Sequence, residues 1–327
     1  MPFSESDIVD LTGKVAIVTG GNSGLGLQTV KVLASKNARV YLACRSIEKF
    51  NQAITEIKNT CNSYFVKNVS FLQLDLASAA TAKAAANEFN TKENKLHLLY
   101  NNAGVMGTPK GKVSDDGYEY VITSFLYPKA TPLTHSPDVK QFAVNTFALF
   151  VFTYHLLPTL QSTATSSSPG TVRIINTASS GAKQAGRAGI PLDSSPTVGA
   201  EYSPSQCYGH SKIGVILLTR QLARRYPSIL SFAPHPGPVQ SNLTRELGIP
   251  SWVMAILNKV VFKPAEYGAL TQLFAGTTPT LTAEDNGGYL VPPAKLDSKL
   301  PHKQCYDDVF GAKLWDWCMT AMRKLEE

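Results

Sequence analysis

Short apolar runs rich in β-branched residues alternate along this chain with stretches of helical period. Residues 14–19, 38–44, 69–74 and 96–100 read as buried strands. Between them, residues 27–35, 47–60 and 77–90 read as helices, the last one rich in alanine. Strands and helices alternating at this spacing predict βαβ units, hence a parallel sheet with helices on both faces. An apolar helix then runs from Phe142 to Leu157, and residues 172–179 read as a strand ending at a serine. Residues 264–275 continue the pattern as a helix, 288–291 as a last strand and 307–325 as a C-terminal amphipathic helix. The fold class is therefore α/β, one doubly wound domain spanning residues 1–327 with its core at about 11–291.

The turns between these elements carry the chemistry. The first strand runs directly into Gly20-Gly-Asn-Ser23-Gly24-Leu25-Gly26 and then a helix. In that context backbone N–H groups and the positive end of the helix dipole bind phosphate, and glycine permits the tight turn and close approach. The second strand ends at Arg45-Ser46 with no acid beside it. In dinucleotide folds an acid here bonds the ribose 2′-hydroxyl of NAD, whereas arginine accommodates the 2′-phosphate of NADP, so Arg45 points to NADP. Asp75-Leu76 and Asn101-Asn102-Ala103-Gly104 place polar and small residues at further strand ends, where the binding crevice of such sheets lies. Tyr208 and Lys212 stand at i and i+4 and share one helical face. An ammonium beside a phenol favours the phenolate and lowers its pKa, which suits proton exchange with a substrate oxygen. Taken alone, the same spacing fits an ordinary amphipathic surface helix.

Composition narrows the classes. With 327 residues, 43% hydrophobic and 17% charged, the chain has ample material for a core. The net charge is +7, but Lys and Arg are scattered and form no run, which argues against nucleic acid as a partner. A mildly basic field instead favours a phosphate-bearing cofactor. None of the five cysteines sits in a Cys-x-x-Cys pair, so neither a disulfide framework nor a metal site is expected. Residues 1–10 are polar and acidic without a secretory signal, and the apolar stretches read as too short for a membrane span of roughly 20 residues. The expectation is a soluble, cytoplasmic protein.

The glycine turn, Asp75, Asn101-Asn-Ala-Gly104, Phe142-Ala-Val-Asn145, Ser179, Tyr208-x-x-x-Lys212 and His235-Pro236-Gly237 occur in one order over about residues 11–291. In that order they resemble the short-chain dehydrogenase/reductase family, the single-domain branch with an extended Rossmann fold. Asp-Gly-Tyr-Glu119, Cys-Tyr-Gly-His-Ser-Lys212 and His-Pro-Gly237 look most like the retinol-dehydrogenase and WW-domain-oxidoreductase-like group, with no WW domain ahead of the fold. The resemblance implies Tyr208 as general acid in reduction and general base in alcohol oxidation. It implies Lys212 lowering the pKa of Tyr208 and holding the nicotinamide ribose, and Ser179 steadying the substrate oxygen, with Ser180 as the neighbouring alternative. Asn145 would hold a water linking Lys212 to solvent. Gly20, Ser23, Gly24, Leu25 and Gly26 are implied at the cofactor phosphates, Arg45 at the 2′-phosphate, and Asp75 and Leu76 at the adenine. Asn102, Ala103 and Gly104 belong along the adenosine side, though Asn102 reads equally as a clamp between strands. Pro236, Gly237 and Val239 are implied at the nicotinamide end. The implied activity is NADP-dependent interconversion of a ketone or aldehyde and an alcohol, on an apolar and bulky small molecule. The alternative is a cofactor-binding sensor or interaction protein of the same fold with little turnover.

Two places depart from the family pattern. Residues 120–140 carry Pro128, Pro132 and Pro137 and no helical period, which reads as an irregular insertion. A lid, a mobile loop and a gene-model artefact all fit it. Residues 162–170 (Ser-Thr-Ala-Thr-Ser-Ser-Ser-Pro-Gly) read as a low-complexity surface connection. Residues 241–262 are apolar; in the family this region covers the substrate pocket, and a helix packed on the core fits as well. With Lys259 and Lys263 it could support weak membrane-surface contact. Oligomeric state is left open: helix-mediated dimers or tetramers are usual in the family, less so in this group.

Overall fold

The run Val15–Thr19 is buried at all positions, as a strand covered on both faces must be, and it forms β1 at the heart of the sheet. The computed structural model describes residues 3–60, 63–106, 139–191, 202–240 and 261–326. Across them follow β2 (Arg39–Cys44), β3 (Val69–Gln73), β4 (Leu98–Asn101), β5 (Arg173–Asn176), β6 (Leu230–Pro234), β7 (Tyr289–Val291) and β8 (Lys295–Asp297). They make one eight-stranded sheet in the order β3-β2-β1-β4-β5-β6-β7-β8. All neighbours pair in parallel except β7 and β8, which are antiparallel.

Alternation along β1 splits the core in two. Val15 and Ile17 face a cluster containing α3 (Ala79–Lys92), the long helix before β5, α5 (Pro204–Arg225) and α7 (Asp308–Glu326). Ala16 and Val18 face the other layer, with α1 (Gly24–Ser35), α2 (Ile47–Thr60) and α6 (Ala265–Thr277). The long helix, α4, is a composite of Val139–Phe142, a π-helical stretch Ala143–Ala148, and Leu149–Thr165. At the start of α5, Ser203 and Gln206 form a capping box with Pro204 in the first turn, which fixes where the helix begins.

Several elements differ from the sequence reading. The strand predicted to reach Ser179 ends at Asn176, so the serine lies beyond the sheet. The helix predicted to stop at Leu157 continues to Thr165 and takes in the first part of the low-complexity stretch. There the Thr163 and Thr165 hydroxyls bond back to the carbonyls of Thr159 and Gln161, at 2.7 and 3.0 Å, so these polar side chains are satisfied within the helix itself. At its other end, the last residues of the predicted insertion are already helical from Val139. β7 is not the last strand: β8 follows it, a piece too short and too charged to register as apolar alternation. Contrary to the expectation from apolar run length, Ala143–Thr165 is long and apolar enough to cross a membrane by composition. Its apolar window is 78% buried inside the fold, as befits a core helix. The rest of the insertion, the Asp-Gly-Tyr-Glu motif and nearly all of residues 241–262 lie outside the described residues.

Candidate active site

The carboxyl ends of β1, β4, β5 and β6 bring the chemistry-bearing residues to one edge. After β1, Gly20 takes a φ of 65° and Gly24 one of 54°, conformations that side chains resist. Gly26 permits no side chain, since a Cβ there would stand 2.3 Å from the Gly20 carbonyl oxygen and 2.6 Å from Asn102 Nδ2. Ser23 caps α1, yet its hydroxyl makes no capping bond to the helix. A bare helix N-terminus, a glycine cradle and an uncommitted hydroxyl together fit an anionic group such as a dinucleotide pyrophosphate. Asn102 donates to the Thr19 carbonyl at 2.9 Å, and the Thr19 hydroxyl accepts from the Ala103 amide at 2.9 Å. Asn102 thus clamps β1 to the turn after β4, the geometry of the clamp alternative. Arg45 is exposed just past β2, with neither hydrogen bond nor ion pair among the described residues. Asp75 accepts from the Ala77 amide at 3.0 Å, while Leu76 is buried in the core. Pro236 is half-buried beside Gly237, whose φ is 84°, and Val239 is buried, touching Gly268 of α6.

Tyr208 and Lys212 both lie on the buried face of α5, with relative exposures of 7% and 5%. The ammonium stands 5.7 Å from the Tyr208 ring centroid and donates to the Thr177 carbonyl at 2.9 Å. Ser179 lies across from the ring; its Oγ accepts from the Gly181 amide at 3.0 Å. Gly181 makes this approach possible, because a Cβ there would meet Tyr208 Cε1 at 2.6 Å and Ser179 Oγ at 3.1 Å. Ser180 begins the short 3₁₀ turn Ser180–Ala185, which Ser179 caps.

The electrostatics correct one expectation. Burial pushes the Tyr208 phenol above its ordinary pKa, and the Ser179 hydroxyl opposes that shift without reversing it. Burial also pulls Lys212 down, to about 8. Desolvation of both groups outweighs the phenol lowering expected from helical spacing alone. His235 is held to about 4 by burial first, then by Lys183 and Lys212, so it is neutral at physiological pH.

Asn145 sits inside the π-helical stretch of α4. Both ends of its side chain bond to protein: Oδ1 accepts from the Val105 amide at 2.7 Å, and Nδ2 donates to the Val105 carbonyl at 2.9 Å and Ser211 Oγ at 3.0 Å. Ser211 in turn donates to the Tyr208 carbonyl at 2.8 Å. A π-helical turn in an otherwise regular helix frequently marks a functional site. Ser211 stands inside the same motif as Lys212, but nothing in the sequence marks its hydroxyl as a partner of Asn145. Thr177 leaves no signal in the sequence, because the carbonyl that it offers Lys212 could come from any residue.

The strand order and the glycine turn define a Rossmann-type fold, with a Tyr/Lys pair at the carboxyl edge of its sheet. The short chain dehydrogenase family matches residues 14–250. Among relatives, a short-chain dehydrogenase/reductase of Armillaria gallica is 37% identical over 317 residues, covering 96% of this chain and 92% of its own. An uncharacterised oxidoreductase of Schizosaccharomyces pombe is 36% identical, covering 95% of this chain and 85% of its own. The chain belongs to the short-chain dehydrogenase/reductase family. In fold it is similar to the NADPH-bound carbonyl reductase from chicken fatty liver (TM-score 0.60, 21% identity, 88% of this chain and 100% of that one). It is similar too to the Pseudomonas aeruginosa RhlG/NADP complex (TM-score 0.61, 22% identity, 87% and 96%). The chain is thus an oxidoreductase by family; the retinol-dehydrogenase-like subgroup is not distinguished by these likenesses.

Proposed function

We propose that this chain is an NADP-dependent oxidoreductase of the cytoplasm that interconverts a ketone or aldehyde and an alcohol on an apolar, bulky small molecule. The observation that carries the reading is the packing of Ser179, Gly181 and Tyr208 beside a lysine anchored on Thr177. A nicotinamide cofactor, when bound, supplies or takes up the hydride. The residues that would hold it are the glycine turn with Ser23, Arg45 for a 2′-phosphate, Asp75 and Leu76, Ala103 and Gly104, and Pro236, Gly237 and Val239. Lys212 would hold its ribose hydroxyls.

Ser179 holds the substrate oxygen by hydrogen bond, and the Tyr208 phenol gives its proton to that oxygen as charge develops on it. Because burial keeps the phenol protonated through neutral pH, the site favours the reduction direction there. Lys212, charged below about 8, stabilises the phenolate left behind. Asn145 ties the turn at Val105 to Ser211 and so holds the α5 helix against α4. The position of Arg45 just past β2, with no acid beside it, supports NADP over NAD.

The test is a panel of ketones and aldehydes assayed with NADPH and with NADH, using the parent and Tyr208→Phe. Turnover with NADPH that disappears in the variant supports the reading. No turnover on any substrate, or a variant as fast as the parent, removes it.

A further inference from the structure

The carbonyl that anchors Lys212 belongs to Thr177, and the hydroxyl of the same residue donates to Gln272 Oε1 at 3.1 Å. Gln272 is on α6, 1% exposed, and its amide nitrogen donates to Thr29 Oγ1 on α1. Thr29 in turn donates to the carbonyl of Leu25 at 2.8 Å, in the first turn of the helix that opens at the glycine-rich loop. A chain of bonds, buried at Leu25, Thr29 and Gln272 and half-buried at Thr177, thus runs from Leu25 through Thr29, Gln272 and Thr177 to the Lys212 ammonium. It crosses from α1 through α6 to α5, elements far apart in sequence. Both ends of the Gln272 amide are used, one as donor and one as acceptor, so its orientation is fixed by the bonds it makes. A buried polar group in this layer would otherwise cost stability, and an apolar side chain of similar size would pack the same space.

We propose that Gln272 is a positioning residue: it registers the Thr177 carbonyl, and through it Lys212, against the helix that begins at the phosphate-binding turn. The proposal rests on the functional reading above. It makes the hold on the cofactor ribose and the hold on its phosphates parts of one hydrogen-bonded unit.

The experiment measures NADPH affinity by fluorescence titration of the full-length parent, Gln272→Met, Lys212→Met and the double variant. Gln272→Met keeps the volume and removes both bonds. The expected result is that each single variant weakens NADPH binding, while the double variant is no weaker than Lys212→Met alone. Losses that multiply in the double variant overturn the proposal, since Gln272 would then act independently of Lys212. Thr177→Val cuts the same chain at its other side and must reproduce the Gln272→Met affinity; a parent-like Thr177→Val overturns it equally, and this variant serves if Gln272→Met does not fold. In turnover, kcat of Gln272→Met is expected to fall about tenfold with the carbonyl substrate KM unchanged, as for a small misplacement of a catalytic group. A folded variant with lower melting temperature but parental kcat and NADPH affinity would show a packing role only and overturn the proposal. A parent without turnover on carbonyls defeats the functional reading, while the binding cycle still decides the coupling.

Discussion

A Cβ on Gly181 would stand 2.6 Å from Cε1 of Tyr208, closer than a Cβ comes to a carbon it is not bonded to. The ring is buried on α5 and has little room to retreat. Gly181→Ala therefore moves the phenol away from Ser179. A misplacement of about 1 Å costs on the order of 100-fold in rate, so kcat should fall by about that factor while NADPH affinity holds. Steady-state kinetics and a cofactor titration on the same preparation check both halves.

On the proposed mechanism, Tyr208→Phe removes the proton donor and leaves the ring. The expected loss is roughly 10²–10⁴-fold in kcat, with cofactor binding retained. Lys212→Met, by contrast, should lose both kcat and NADPH affinity, because on that mechanism the ammonium would serve the phenol and the ribose together. Single-turnover rates at saturating NADPH separate the two patterns.

The pH dependence follows from two shifts of opposite sign. A phenol raised by burial stays protonated through neutral pH, and an ammonium lowered to about 8 loses its charge above that point. Reduction should run level through neutrality and decline above about pH 8, whereas alcohol oxidation should rise with pH. His235, the imidazole near Lys212, is neutral above about 4 and adds no limb in this range. A pH–rate profile in both directions, extending to alkaline pH, tests this.

On the proposed reading, cofactor choice hangs on one exposed side chain, Arg45. Replacing Arg45 by Asp removes the cation and places an acid at the end of β2, to which a ribose 2′-hydroxyl would donate and which would repel a 2′-phosphate. A charged hydrogen bond is worth about 1.5–3 kcal/mol, so NADPH affinity should drop roughly 10- to 100-fold, with NADH gaining relative to it. The ratio of kcat/KM for the two cofactors reads the switch.

Acid should loosen the fold before it reaches the carboxylates. Burial holds His97 and His210 to about 4, well below the ordinary 6.5, and the His97 ring is committed to accepting from the Val15 amide at 3.0 Å. Both lowered values mean that the unfolded chain takes up protons first. Their contribution is complete above about 6.5 and is lost as pH falls toward about 4, up to about 3 kcal/mol for each ring. Melting temperatures measured down that interval should fall steeply, and less so in His210→Asn.

The strand and helix periods of residues 14–104 were readable because β1, β2 and β4 are apolar on both faces, the signature of a covered parallel sheet. The glycine turn and the Tyr/Lys pair were readable because their spacing is local. What stayed hidden depends on contacts between distant segments. The π-helical stretch around Asn145 leaves no mark in an apolar helix, and the phenol shift depends on how deeply α5 is buried. Gln272 looks like any polar residue of a helix until Thr29 and Thr177 are seen on either side of it.

Trp317 packs on Phe142 and Phe147, with ring centroids 5.9 and 5.5 Å apart, and so rests against the π-helical stretch that holds Asn145. Indole emission responds to its surroundings, so this ring is a native optical probe of the helix that carries Asn145. A Trp315→Phe, Trp252→Phe background leaves Trp317 as the sole indole, and changes in the neighbourhood of Asn145 could then be followed by light without attaching a label.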